Sequence, residues 1–164
     1  MKNLKGDLSF VITNKCNQKC KFCFTRNDDE KRVDLTVENI RDIIIREKGL
    51  FNKVFIMGGE PTFHPFFNEI IDMLNEEGCK NITLVSNGNS LNNKDVISLL
   101  LKKNVKNFTI AFHDSDPQVF GEVTRNKNAF YHTTTAIKNI LECGGELLIN
   151  FFNQNKFRKI NKHN

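Results

Sequence analysis

The chain is 164 residues long, with 39% hydrophobic, 26% charged and 10% aromatic residues, which supplies one domain core and leaves no length for two. That composition excludes a disordered or collagen-like chain. The formal charge is +5, from 24 Lys and Arg against 19 Asp and Glu, but acids interrupt the cations, as on an ordinary solvated surface.

The segment Met1 to Asp7 carries positive charge, yet the apolar run after it, Leu8–Ile12, is shorter than a signal-peptide core. No stretch approaches the roughly 18 consecutive apolar residues of a membrane span. A cytoplasmic protein is expected, and in that reducing compartment the five cysteines do not read as a disulfide framework.

Leu8–Ile12 reads as a first strand. A helical stripe of Val37, Ile40, Ile43 and Ile44 follows, with Thr36 as its N-cap and Gly49 as its stop. Val54–Met57 is the second strand, and Phe67, Ile70, Ile71 and Leu74 form a second stripe opened by Pro65 and closed by Gly78. Next come the strand Ile82–Val85, a stripe of Val96, Leu99 and Leu100, and the strand Phe108–Phe112. Asp116 and Pro117 read as the N-cap and first position of a short helix. Ala136, Ile137, Ile140 and Leu141 continue the helical period to Gly144-Gly145, before a fifth strand over Leu147–Phe152.

Apolar residues on consecutive positions suit strands covered on both faces, and strand–helix–strand repeats build a parallel sheet. The predicted fold is therefore α/β, a single domain over residues 1–164, with about five parallel strands, crossover helices and a polar basic tail at 153–164. A closed eight-stranded barrel needs about 250 residues, so the sheet is open or a partial barrel. In both, chemistry gathers at the carboxyl ends of the strands.

After the first strand stands Thr13-Asn14-Lys15-Cys16-Asn17-Gln18-Lys19-Cys20-Lys21-Phe22-Cys23, a CxxxCxxC spacing. Three thiolates so close converge on a metal centre when the backbone wraps around it. A zinc site would draw a fourth ligand from Cys79, Cys143, His64, His113 or His132, none of which stands in a paired motif. A [4Fe–4S] cluster on three cysteines leaves one iron without a protein ligand.

This loop resembles that of the radical S-adenosylmethionine (SAM) enzymes. The resemblance implies that Cys16, Cys20 and Cys23 hold the [4Fe–4S] cluster, that SAM chelates the fourth iron, and that Phe22 lies near the adenine. The chemistry it implies is reductive cleavage of SAM to a 5′-deoxyadenosyl radical that abstracts hydrogen from a substrate. Lys15, Lys19 and Lys21 would raise the cluster potential or simply be solvated.

Gly58-Gly59-Glu60-Pro61 follows the second strand and is similar to the family's GGEP motif, whose backbone and acid hold the SAM amino group. The two glycines would let a ligand sit against the main chain. Ser86-Asn87-Gly88 resembles the polar turn after the third strand, which places Asn87 at the pocket. Relatives often carry serine where this chain has Ala111, and an arginine toward the SAM carboxylate where it has Arg125. Asn150, polar within the fifth strand, is the matching contact there. His64 and His113 follow strand ends and either face the substrate or are hydrogen-bonded, while Cys79 and Cys143 read as small buried hydrophobes.

The resemblance runs from about Leu8 to Phe152, and the sixth unit usual in the family has no counterpart, so a partner chain or dimer is expected over the open sheet edge. The substrate is a small molecule or peptide, with peptide or cofactor maturation favoured, and a flavodoxin- or ferredoxin-like donor supplies electrons. The alternatives are an activating protein for a glycyl-radical enzyme, a non-catalytic zinc or Fe–S module, and an inactive truncated remnant. Binding to nucleic acid is disfavoured by the absence of an Arg–aromatic stripe.

Overall fold

The described residues, 5–23 and 33–151 of the computed structural model, form five strands joined by helical crossovers, one helix each between the first four and two between the last pair. In chain order they are β1 (Gly6–Val11), α1 (Val37–Arg46), β2 (Phe51–Met57), α2 (Phe67–Glu76), β3 (Ile82–Ser86), α3 (Lys94–Lys102), β4 (Val105–Ala111), α4 (Pro117–Thr124), α5 (Ala129–Glu142) and β5 (Glu146–Asn150). Short 3-10 turns follow β2 at Pro61–Phe63 and β3 at Asn89–Leu91. The far end of the fifth predicted strand, Phe152, and the tail at 153–164 lie outside the described residues.

Local chemistry sets the helix starts. The Thr36 hydroxyl accepts from Asn39 N at 3.1 Å, and the Asn39 side chain accepts from Thr36 N at 3.3 Å, a reciprocal cap. Asp116 accepts from Gln118 N at 2.8 Å and Val119 N at 3.3 Å, with Pro117 in the first helical position, where its missing N–H costs nothing.

All five strands are parallel and neighbour one another in sequence order, β1-β2-β3-β4-β5. An order without reversal is that of a barrel wall, whereas a doubly wound sheet turns back at a switch point. The helices pack one face only. Phe10, Val54, Ile56, Ile82, Leu84, Phe108 and Ile110 meet Ile40, Ile44, Ile70, Ile71, Leu74, Ile97, Leu100, Ala136 and Ile140 in a single core.

The expectation of strands covered on both faces does not hold. The register sets Ser9, Phe55, Thr83, Asn107 and Glu146 in one row on the other, concave face, and Ser9 and Glu146 there are exposed. In a curved wall the inner face carries Phe55, Met57, Val85 and Leu148, so consecutive apolar residues arise without a second helical layer. A cavity of about 230 Å³ lies on this side, lined among others by Lys53, Phe55, Thr83, Asn107, Glu146 and Leu148.

The phase of α3 also differs. Ile97 and Leu100 are buried while Leu99 is 47% exposed, because the helix turns Ile97 rather than Leu99 toward the sheet. Leu141, likewise predicted inward, is exposed on α5. On this basis Ile97→Ala should lower unfolding free energy by about 2–5 kcal/mol, the range for truncating a buried Ile. Leu99→Ala should stay within about 1 kcal/mol of the parent. Urea unfolding followed by circular dichroism reads both; equal losses would restore the sequence-based phase.

Candidate cofactor site

The cysteine loop leaves β1 along the end of β2. Ile12 N still donates to Met57 O at 2.9 Å, then Gly59 N donates to Thr13 O and Glu60 N to Lys15 O, each at 2.8 Å. These bonds hold the first three loop residues flat against the Gly58-Gly59 turn. A Cβ on Gly59 would stand 2.6 Å from both Asn14 O and Lys15 O, and one on Gly58 would collide with Thr13 O. The glycines therefore admit the cysteine loop's own backbone, where the sequence suggested a ligand.

The second half of the loop is held from α4. Lys19 N donates to Thr124 O at 3.1 Å and Lys21 N to Val123 O at 3.0 Å. Thr124 is fully buried, and its hydroxyl donates to Phe120 O at 2.8 Å, which anchors the helix end that accepts these bonds. Sequence reasoning missed Val123 and Thr124, because a main-chain acceptor leaves no side-chain signature.

Cys16 follows the first clamp, Cys20 lies within the second and Cys23 just beyond it; all three are half-buried and none is in a disulfide. Burial, with the neighbouring Cys16 and Cys23, pushes the Cys20 thiol up to about 11. Burial raises Cys16 as well, partly offset by the Gln18 N–H, which donates to its sulfur at 3.4 Å. The three sulfurs thus lie within electrostatic reach of one another. Among the described residues no three His, Cys, Asp or Glu side chains close around a single metal ion.

Of the fourth ligands considered for zinc, all but His113 are engaged elsewhere. His64 is buried, with Nε2 donating to Leu35 O at 3.0 Å and Nδ1 accepting from Phe66 N at 3.1 Å. Cys79 sits in the core, the Ser98 hydroxyl points at Cys143 Sγ at 3.9 Å, and His132 Nδ1 lies 3.0 Å from Asn92 Nδ2. What remains among the described residues is the three thiols and His113, which do not close together around a single ion. Two buried atoms in the region lack a hydrogen-bond partner among the described residues, Gln18 Nε2 and His113 Nδ1. Gln18 Oε1 accepts from Cys20 Sγ at 3.5 Å, and the His113 ring stands edge-on to Phe22 with centroids 4.9 Å apart. Three sulfur donors and leftover polar atoms fit a cluster ligated by three cysteines.

Glu60 has no exposed surface. Its carboxylate accepts from Thr62 Oγ1 at 2.8 Å, Ser86 Oγ at 2.9 and 3.1 Å, and Asn87 N at 2.8 Å. Burial raises its pKa, and these donors pull the other way. The acid thus ties the end of β2 to the turn after β3, and its backbone N–H lies at the cysteine loop. Asn87 is held at both main-chain ends, since Thr133 Oγ1 also donates to Asn87 O at 2.9 Å. Its side-chain Nδ2 reaches Asn17 Oδ1 at 2.7 Å and Cys16 Sγ at 3.7 Å.

Phe22, Asn87, Gly58, Gly59 and Pro61 lie together with the cysteines at the carboxyl end of the wall, as expected. Ala111 and Asn150 pair across β4 and β5 on the concave face. Asn150 is exposed, so its side chain carries no demand for a buried partner; its carbonyl accepts from Phe112 N at 2.9 Å. Arg125 is not brought to the site. It is exposed in a left-handed backbone conformation and lines an outer groove along α4 with Pro117, Gln118, Glu122 and Lys127.

A family model described as the Radical SAM superfamily matches residues 10–156. The probable GTP 3′,8-cyclase of Sulfolobus acidocaldarius is 30% identical over 131 residues, covering 76% of this chain and 41% of that protein. The corresponding Saccharolobus solfataricus protein is 28% identical, over 84% of this chain and 44% of its own. The chain thus spans under half the length of these curated relatives. Among solved structures, Streptococcus suis SuiB bound to precursor peptide SuiA superposes with a TM-score of 0.71 at 20% identity, over 98% of this chain and 36% of that one. The anSMEcpe structure with bound AdoMet and Kp18Cys peptide gives 0.69 at 19% identity, over 97% and 47%. At these identities the likeness is one of fold.

Gly59→Ala should displace the cysteine loop, so anaerobically reconstituted protein should hold less than about half the parent's iron. Normal iron with weakened SAM binding would instead return the glycine to a ligand-facing role. Glu60 binds its proton more tightly folded than unfolded, so stability should decline as pH rises above its ordinary value of 4.5. Glu60→Gln should flatten that decline in urea midpoints taken at about pH 5 and about pH 7; an unchanged slope would show the carboxylate is not its source.

Proposed function

Since the chain belongs to the radical SAM superfamily, whose cofactors are a [4Fe–4S] cluster and SAM, we propose that Cys16, Cys20 and Cys23 carry the cluster and that SAM binds beside it at the carboxyl ends of the strands. The observation that supports this reading above all is the double clamp on the cysteine loop, from the Gly59-Glu60 backbone on one side and Val123-Thr124 on the other. When bound, the two cofactors supply one-electron chemistry that removes a hydrogen atom from a substrate. The protein's part is to orient, shield and admit.

Phe22 and Asn87 flank the cysteines, and the backbone of Gly59 and Glu60 stays near Lys15, so these are the groups proposed to border SAM. The concave face with Ala111 and Asn150 at its rim is the proposed substrate side. A substrate for peptide or cofactor maturation would enter at that carboxyl-end rim; the cavity lined by Lys53, Thr83, Asn107 and Glu146 lies toward the amino ends of the strands. The relatives named GTP 3′,8-cyclase favour a second reading, in which a nucleotide is that substrate. An external flavodoxin- or ferredoxin-like donor would supply the electron.

Protein purified without oxygen should contain about four irons per chain, the content of a cubane cluster. With SAM and dithionite it should form 5′-deoxyadenosine, and Cys20→Ala should abolish both iron and product. Stoichiometric zinc in place of iron would sink the proposal. A rise in 5′-deoxyadenosine on adding GTP would choose the nucleotide reading, and an unchanged rate would leave the peptide class.

A further inference from the structure

Cys16 differs from an exposed thiol in receiving two nitrogen donors, the Gln18 backbone N–H at 3.4 Å and the Asn87 side-chain amide at 3.7 Å. The amide comes from a turn 71 residues away in the chain, at the end of β3. Every polar atom of Asn87 is engaged: N donates to Glu60 Oε2 at 2.8 Å, O accepts from Thr133 Oγ1 at 2.9 Å, and Oδ1 accepts from Asn89 N at 2.9 Å. The amide also gives one hydrogen to Asn17 Oδ1 at 2.7 Å, beside Cys16 in the chain. With Oδ1 committed to Asn89 and one N–H to Asn17, the second N–H is the one directed at sulfur. The amide orientation follows from this network, because a flipped Asn87 would set its NH2 against Asn89 N and its oxygen against Asn17 Oδ1.

We propose that Asn87 is a positioning residue that donates an N–H···S hydrogen bond to the Cys16 thiolate and thereby raises the reduction potential of the cluster proposed there. The physical reason is that a donor to a ligating sulfur stabilises the more negative, reduced cluster more than the oxidised one. The buried Glu60 carboxylate is the other half of the device. It fixes the Asn87 main chain through a bond in a dry environment, and Thr133 fixes it from α5, so the amide cannot swing away. This explains a carboxylate kept out of water at the end of β2: it sets the distance between the β3 turn and the cysteine loop. The inference rests on the cluster reading above, and its test starts from wild-type chain that has taken up iron.

The test is a potentiometric titration of the reconstituted protein without SAM, followed by electron paramagnetic resonance of the reduced cluster. Asn87→Ala should retain iron but lower the equilibrium constant for reduction about tenfold, a shift of 59 mV toward negative potential for a one-electron couple. Thr133→Val, which loosens the turn without removing the amide, should shift it less. An Asn87→Ala cluster at the wild-type potential overturns the proposal, as does an equal shift in Thr133→Val. If Asn87→Ala holds no iron, Asn87→Asp keeps the Oδ1 acceptor for Asn89 and should show a negative shift; an unchanged potential again overturns it. A wild-type readout stands apart from folding of any variant. Protein carrying ¹⁵N only in asparagine side-chain amides should give a ¹⁵N coupling to the reduced cluster, and no coupling overturns the bond. Wild-type chain that binds no iron defeats the cluster reading itself.

Discussion

The site depends on two main-chain hydrogen bonds of 2.8 Å, Gly59 N to Thr13 O and Glu60 N to Lys15 O. They prolong the β1–β2 ladder past the last strand residues, so that the cysteine loop begins as a continuation of the sheet. Such an approach requires that no side chain stand between the two backbones, and both positions facing the loop are glycine. A loop of polar residues with three thiols has little apolar surface to hold it in place. Its order comes from donors and acceptors supplied by neighbours of fixed geometry, β2 before Cys16 and the end of α4 after it.

Once the glycines serve the loop, the role of Glu60 follows. A carboxylate with no exposed surface loses its hydration, a penalty of several kcal/mol unless other donors replace the water. Thr62, Ser86 and Asn87 are those donors, and they come from two different strand ends. The acid therefore works as a rivet between β2 and β3. Removing its charge would spare the desolvation cost and leave the Ser86 and Thr62 hydroxyls free to rotate toward other acceptors.

Much of the fold was legible because its signals are local. Thr36 and Asp116 cap the helices that their spacing announced, and five apolar runs became five strands in sequence order. What escaped reading is geometry that one-dimensional pattern cannot carry. Leu99-Leu100-Leu101 gives no phase, so the buried face had to be decided by Ile97. Apolar residues such as Phe55 and Val85 look the same in a barrel lumen as under a helix layer. At the candidate site, the CxxxCxxC spacing and the Ser86-Asn87-Gly88 turn pointed to Cys16, Cys20, Cys23 and Asn87, and the structure sets Asn87 Nδ2 3.7 Å from Cys16 Sγ. Arg125 caps α4 in a left-handed conformation and lines a groove along that helix, a placement its residue type alone does not announce. The neighbouring Thr124 and Val123, which do meet the loop, act through carbonyls that any residue possesses.

The one-sided helical layer has a consequence for chemistry. Because the core closes entirely on the convex side, the concave residues contribute little to holding the wall together and are free to differ in charge and size. Lys53, Thr83, Asn107 and Glu146 occupy neighbouring strands there, a mixture that a packed interior would not tolerate unpaired. The cysteine loop, by contrast, is fixed by backbone contacts that do not depend on those inner-face side chains. Under the proposed function, the strand ends would hold what is common to radical chemistry, while inner-face side chains that the core does not constrain are free to vary with the molecule acted on.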